Sequence, residues 1–280
     1  MNITYTNFSN TTKYHDGKVP YFTFKAFDEI NCISHAFSTR IGGISTDIYS
    51  SMNLSYTVGD SNDNIQKNFS IFADAIKIPV NNMVYSHQTH TTNVMRVSKE
   101  HLGMGILRER NFSDIDGLIT NEPGVCLVTS YADCVPLYIV DDVNKAIGLS
   151  HSGWKGTVND IAIKTVKMMQ SEFGSLSENL KVFIGPSICC GCYEVSEDVA
   201  NQFIIKYGPE AFDNIVIPKD NMKYNLNLWL ANKENFVRAG VKSDNIHITD
   251  ICTSCNNELL FSHRASKGKR GGLCGFLMLK

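Results

Sequence analysis

A thiol and an imidazole flank two short apolar runs in ADCVPLYIVDDVNKAIGLSHSGWKG (132–156). Cys134 precedes LYIV and His151 follows AIGL. Upstream, SHQTH (86–90) offers a further imidazole from His87 or His90. Two His and one Cys suit Zn²⁺ and leave a fourth position open for water or substrate, which marks a catalytic rather than a structural zinc site. These residues are far apart in sequence, so such a centre exists only if the fold gathers them. The two His of HQTH would share a face on a helix and point opposite ways on a strand. The flanks MVYS and NVMRV read as strands, so one of the two His is expected at the site, and their spacing does not choose between them.

The neighbouring residues refine the chemistry. In SHSGWKGT (150–157) the imidazole follows a buried strand and a helix begins just after it. Backbone N–H groups at a helix start attract anions, and Lys155 adds positive charge. In YADCVP (131–136), Pro136 discourages a regular central strand and a break there would aim Cys134 into a cleft. Asp133 would orient a ligand or hold the turn. In FSTRIGGIS (37–45), Arg40 ahead of Gly42-Gly43 suits a phosphate or carboxylate. Taken singly, each motif has an ordinary reading: a hydrogen-bonded His, a buried Cys, a solvated Arg. Two further groups, CCGC (189–192) and CTSC (252–255), each contain C-x-x-C and together could form a four-cysteine structural zinc site. The segment between them is longer than in a compact zinc ribbon and carries two predicted helices, so buried, incidental cysteines are the competing reading.

Other chemistries are absent from the pattern. The H-x-E and P-C-x-x-C pair of zinc nucleobase deaminases does not occur, nor does a P-loop or a dinucleotide fingerprint. The chain has eight His and no His-x-His pair, which disfavours a conventional multicopper site. With 280 residues and 43% hydrophobic content, it can build one large core. A formal net charge of −2 and one short basic cluster, RASKGKR (264–270), disfavour nucleic acid. Without a membrane-length apolar run or a signal-like N-terminus, the expectation is a soluble, cytoplasmic protein. Nine cysteines, an odd number, then read as core residues, ligands or nucleophiles rather than a disulfide framework.

The elements that must position these groups are strands FTFKAF, CISHAFST, MVYSH, NVMRV, DGLIT, VCLVTSY, PLYIV, AIGLSH, KVFIG, NIHITDI and GFLML. Helical periodicity spans 62–78, 157–173, 196–207 and 226–239, with caps at Asp60 or Ser61, Ser196, and Asn225 or Asn227. SKGKRGG (266–272) reads as a flexible loop before a closing strand. The pattern is neither βαβ alternation nor all-β, and predicts a mixed α/β (α+β) single domain over 1–280.

In order along the chain, FSTRIGGIS, SHQTH, DGLIT, ADCVPLYIVD, GLSHSGWKGT, IGPSICCGCYEV and the ICT…FSHR…GKRGG tail resemble the laccase-domain family, also called YfiH/YlmD-like or multicopper polyphenol oxidoreductase. The resemblance runs from about Phe22 onward. It implies a metal site of His90, Cys134 and His151, and so selects His90 over His87. It places Arg40 near the substrate, and it carries Gln88 and Trp154 in the same motifs. Ser152 and Lys155 replace Ala and Arg of the commoner HAGWRG. The function it implies is a zinc-dependent purine nucleoside phosphorylase acting on adenosine, inosine, guanosine and methylthioadenosine, with adenosine deaminase activity. The catalytic set is then His90, Cys134, His151 and Arg40. Arg40, Gln88 and Lys155 would bind substrate, and Asp133 and His87 are candidate general acids. The expected partners are a purine nucleoside and phosphate, and a monomer is expected. The alternatives are a copper-dependent polyphenol oxidoreductase, a Cys134-nucleophile amide hydrolase acting on peptidoglycan precursors, and a metal-stabilised binding module without catalysis.

Overall fold

The computed structural model describes residues 3–6, 10–209 and 214–280. In chain order its strands begin with β1 (Thr12–His15), β2 (Tyr21–Phe24), β3 (Ile33–Ser38), β4 (Met83–Tyr85) and β5 (Val94–Arg96). Next come β6 (Gly117–Thr120), β7 (Cys126–Tyr131), β8 (Val135–Asp141), β9 (Ala146–Ser152) and β10 (Lys181–Ile184). The last five are β11 (Glu194–Ser196), β12 (Val216–Pro218), β13 (Lys223–Leu226), β14 (Ile246–Ile248) and β15 (Leu273–Leu279). Among the described residues the α-helices are α1 (Asn62–Ile76), α2 (Trp154–Val158), α3 (Ile161–Phe173), α4 (Glu197–Tyr207), α5 (Leu228–Arg238) and α6 (His263–Ser266).

Two six-stranded mixed sheets, ordered β1-β2-β3-β15-β7-β4 and β14-β10-β8-β9-β6-β5, stack face to face, with a small β11-β13-β12 sheet beside them. Strand periodicity of two explains the layering. On β8, Tyr138 and Val140 face the other sheet, where they meet Phe24, Leu127 and Leu277. Val135, Leu137 and Ile139 face outward onto α3, α4 and α5. The outer face of the first sheet is closed by α1, whose Ile65, Phe69, Phe72 and Ala73 cover Cys126, Val128 and Phe276. Because helices cover one face of each sheet and the partner sheet covers the other, LYIV and AIGL are buried throughout, as continuous apolar strands require. Each large side chain buried this way contributes about 1.5–3 kcal/mol, which holds the strand ends that carry the site.

Four local expectations are corrected. Pro136 lies inside β8, a central strand, opposite His151 on β9. It is tolerated because pairing with β10 starts at Leu137 and the Pro136 carbonyl still accepts from Gly185 N–H at 2.8 Å. A side chain at Gly185 would lie 3.1 Å from the Pro136 ring. The helix after His151 is broken: α2 ends at Val158 and α3 begins after Asp160, whose φ is +72°. The Ser196 side chain makes no capping bond to α4, whereas Asn227 does cap α5 through Leu230 N–H. The end of SKGKRGG is packed rather than loose. Gly271 and Gly272 are buried, a Cβ on either would collide with Phe261 or Ser55, and Gly272 N–H donates to Asn53 Oδ1.

Candidate metal centre

A strand end and two loops meet at one end of the sandwich. β9 carries His151 inside the strand, on the face toward the other sheet, where it packs against Tyr131. Cys134 immediately precedes β8. His90 lies in the loop between β4 and β5, at φ +63°. Their ligand atoms all lie within 4.8 Å of one another, with Cys134 Sγ 4.0 Å from His90 Nε2. His151 is buried, Cys134 half-buried and His90 exposed, so the group opens to solvent on the His90 side.

Asp116, which the sequence reading did not single out, organises this group. Its fully buried carboxylate accepts from the backbone N–H groups of Thr89, His90 and Thr91 at 3.1, 3.1 and 2.8 Å. It also meets His151 Nδ1 at 2.8 Å, while its own carbonyl accepts from His151 N–H at 2.7 Å. One carboxylate thereby shapes the His90 loop and, by engaging Nδ1, turns His151 Nε2 toward Cys134. A carboxylate behind a ligating His is the usual support for a metal-bound imidazole. The sequence signal for Asp116 was its place at the head of DGLIT, one of the motifs that carry the family resemblance.

The electrostatics make Cys134 and His151 a charged pair. Burial raises the Cys134 thiol, but the charge and hydrogen bond of His151, together with His90, outweigh it and bring the thiol to about 6. Burial lowers His151, but Cys134 and Asp116 lift it to about 9. Burial raises Asp116, yet its bonds to His151 and the backbone leave it below the ordinary carboxylate value. Without an ion Cys134 and His151 therefore form a thiolate–imidazolium pair. A metal would displace that proton, and a thiolate with two neutral imidazoles on an open side would fit a catalytic zinc ion.

The cleft in front of these groups has a volume of about 310 Å³, and Trp154, Lys155, Ile188 and Tyr193 are among its lining residues. Asp133, at φ +87°, also lines it, but both its carboxylate oxygens are engaged, by Thr253 Oγ1 at 2.6 Å and Arg264 N–H at 2.7 Å. It therefore fixes the turn that presents Cys134. His87 is turned away, its Nδ1 accepting from Asp114 N–H. Gln88 does not line the cleft. Its amide clips the Ser130 backbone, donating to the carbonyl at 2.8 Å and accepting from the N–H at 2.7 Å.

Arg40 is placed in a neighbouring cavity of about 140 Å³, with Ser262, Lys269 and Arg270. Its Nε and Nη1 donate to the Ser50 and Asn257 carbonyls and its guanidinium lies over Phe261. Arg270, missed by the sequence reading because it sat in an expected loop, has a buried Nε without a partner. Burial lowers its pKa, while the negative charges of Cys134 and Asp133 reach it and counter that effect.

A mixed α/β sandwich with a His₂Cys centre at one end defines the class, and comparison gives the family. A family model described as multi-copper polyphenol oxidoreductase laccase matches residues 34–280. The chain belongs to this laccase-like YfiH/YlmD family. It is 32% identical over 245 residues to purine nucleoside phosphorylase YlmD of Bacillus subtilis, covering 87% of each chain. It is 33% identical to a purine nucleoside phosphorylase of Bacteroides thetaiotaomicron, covering 91% of this chain and 95% of that one. Among solved structures, a hypothetical protein YfiH of Bacillus licheniformis is 30% identical, with a TM-score of 0.89 over 95% of this chain and 99% of that one. YlmD of Geobacillus stearothermophilus is 29% identical, with a TM-score of 0.88 over 95% of this chain and 98% of that one. Among the described residues, no helix is long and apolar enough to cross a membrane.

Proposed function

We propose that this chain is a zinc-dependent purine nucleoside phosphorylase, with adenosine, inosine, guanosine and methylthioadenosine as substrates and adenosine deamination as a second activity. The observation that carries the reading is the adjacency of two cavities: the cleft before His90, Cys134 and His151, and the cationic cavity of Arg40, Lys269 and Arg270. They are linked through Asp133, which lines the first and is bonded to Arg264 N–H in α6, whose Ala265 and Ser266 line the second. Relatives named purine nucleoside phosphorylase support the same reading.

His90, Cys134 and His151 would hold the ion, and zinc in such a site polarises substrate groups and lowers the pKa of water. The remaining chemistry falls to the chain. Trp154 and Tyr193 offer aromatic faces to a purine. Lys155 places an ammonium on the same wall to hold a polar atom of the departing base. Arg40, Lys269 and the free Nε of Arg270 bind inorganic phosphate. As the base leaves, positive charge builds on the ribose, and a phosphate held beside it stabilises and captures that charge.

Purified protein with inosine and phosphate should release hypoxanthine in step with phosphate consumption. Cys134→Ala should lower turnover by at least about a hundredfold. Arg270→Gln should raise KM for phosphate about tenfold and leave KM for inosine nearly unchanged. Phosphate-independent release, or none with any of the four nucleosides, would overturn the assignment. A second reading rests on the alignment of Cys134, His151 and Asp116, with the thiol near 6, which matches an activated cysteine nucleophile. Chelation separates the two: it stops phosphorolysis, whereas it exposes Cys134 and would raise hydrolysis of an amide substrate. Two His and one Cys also ligate copper, so metal analysis of protein purified without added copper separates the zinc and copper readings.

A further inference from the structure

A second cluster lies at the same end of the sheet, and the fold explains how it forms. β10 and β14 run parallel, with Ile184 opposite Ile248. Parallel neighbours leave a sheet at the same end, so the segments that follow them emerge side by side. Their pairing continues beyond the strands: Thr249 N–H donates to the Ile184 carbonyl and Thr253 N–H to the Ser187 carbonyl, with a parallel bridge between Ser187 and Cys252. Each segment then turns through a C-x-x-C. In the first, Cys192 N–H donates to the Cys189 carbonyl at 3.1 Å, and in the second Asn256 N–H donates to the Cys252 carbonyl at 3.2 Å. Two turns far apart in sequence thus present two sulfurs each toward the same point.

We propose that Cys189, Cys192, Cys252 and Cys255 form a closed structural Zn²⁺ site that ties the loop lining the cleft to the loop bordering the Arg40 cavity. The four sulfurs all lie within 4.8 Å of one another. Cys192 Sγ and Cys255 Sγ are 3.5 Å apart, well beyond the ~2.05 Å of a disulfide. Tetrahedral Zn–S bonds of ~2.3 Å set their sulfurs about 3.8 Å apart, so the cluster has the size of a single-ion cage. Sulfur lone pairs are also prepared for charge. The buried Cys252 Sγ accepts from Cys189 N–H at 3.2 Å and Cys255 N–H at 3.4 Å, and Arg264 donates to the Cys192 carbonyl at 3.5 Å. Four thiolates leave no vacant position, so this ion would not take part in turnover.

The placement gives the site its consequence. The first loop contributes Ile188 and Tyr193 to the cleft. The second contributes Thr253, bonded to Asp133 beside Cys134, and Asn257, whose carbonyl accepts from Arg40. Joining the loops fixes both cavity walls, whatever reaction the first centre performs.

Metal content of the full chain, purified without chelator in the presence of zinc, tests the proposal. The unmodified chain should carry two zinc equivalents. The doubly substituted Cys134→Ala/His151→Ala chain should keep one, and on exchange with Co²⁺ should show the intense thiolate-to-metal absorption of all-sulfur ligation. Cys192→Ser/Cys255→Ser should lose one equivalent and keep the one at the first centre. A Cys134→Ala/His151→Ala chain devoid of metal would overturn the proposal, as would iron in place of zinc. So would unchanged stoichiometry in Cys192→Ser/Cys255→Ser, or a Cys192–Cys255 disulfide in the unmodified protein by non-reducing mass spectrometry. If Cys192→Ser/Cys255→Ser does not fold, the Cys134→Ala/His151→Ala chain alone decides, because its cysteine cluster is intact.

Discussion

The His₂Cys centre and the four-cysteine cluster are both made at strand ends of the second sheet, yet they are supported differently. In the first, nitrogen and sulfur donors come from separate segments and converge only because the buried Asp116 carboxylate binds the His90 loop and His151 at once. One ligand, His90, is exposed to the cleft. In the second, the donors come in two pairs from local turns, and backbone N–H groups aimed at Cys252 replace the carboxylate. Three donors with an exposed member leave room for substrate, whereas four sulfurs saturate an ion. On the assignments proposed above, ligand count and the shell behind the ligands distinguish a working centre from a brace, even with cysteine in both.

The sharpest way to break the comparison is Asp116→Asn. An amide cannot supply the charge that holds His151 and the three N–H groups, so metal affinity at the first centre should fall by up to about a hundredfold. Metal titration should show the cysteine cluster unaffected. Loss at both sites would mean that Asp116 supports the fold as a whole.

A half-buried histidine outside either centre supplies the next test. Burial pushes His35 down to about 3, and Phe24 N–H donates to its Nε2 at 2.8 Å, which a protonated ring could not accept. Above about pH 6.5 the group is neutral folded and unfolded, and its contribution is complete. As pH falls from 6.5 toward 3, the unfolded chain takes a proton that the folded chain refuses, and stability drops. At pH 5 the loss should be about 2 kcal/mol. His35→Gln keeps an acceptor without titrating, so denaturant melts of metal-stripped protein should show the wild type losing that much more than H35Q between pH 7 and 5. Equal losses would place the acid sensitivity elsewhere.

The smallest effect is expected from Gly153→Ala. Its Cβ would lie 3.1 Å from both Cys134 Sγ and His90 Cδ2, at an ordinary φ of −73°, so the strain falls on the ligands alone. A drop of about tenfold in kcat/KM is expected, with zinc at the cysteine cluster unchanged. Full activity would show that the cleft has slack at that point.

Much of the fold was legible because several strands are buried on both faces and β2 alternates strictly, and both patterns are local. LYIV and AIGL became β8 and β9, and the period of Ile65, Phe69, Phe72 and Ala73 became α1. The small β11-β13-β12 sheet was missed. Its strands are three or four residues long and mostly partly exposed, too short to show a period. Pro136 misled because its cost depends on where pairing with β10 begins, a long-range fact. Arg270 was hidden inside a stretch whose glycines resemble a loop but pack against Phe261 and Ser55.

Sequence alone supplied the donors, the apolar strands that carry them and the ordered motifs of a family. These follow from residue type and short-range spacing, which the chain displays without folding. Only tertiary structure decided which donors meet. Register between β8 and β9, and parallel exit from β10 and β14, are set by contacts between residues far apart in the chain. Those contacts also made Asp116 the hub of one centre and brought two distant C-x-x-C turns within 4.8 Å.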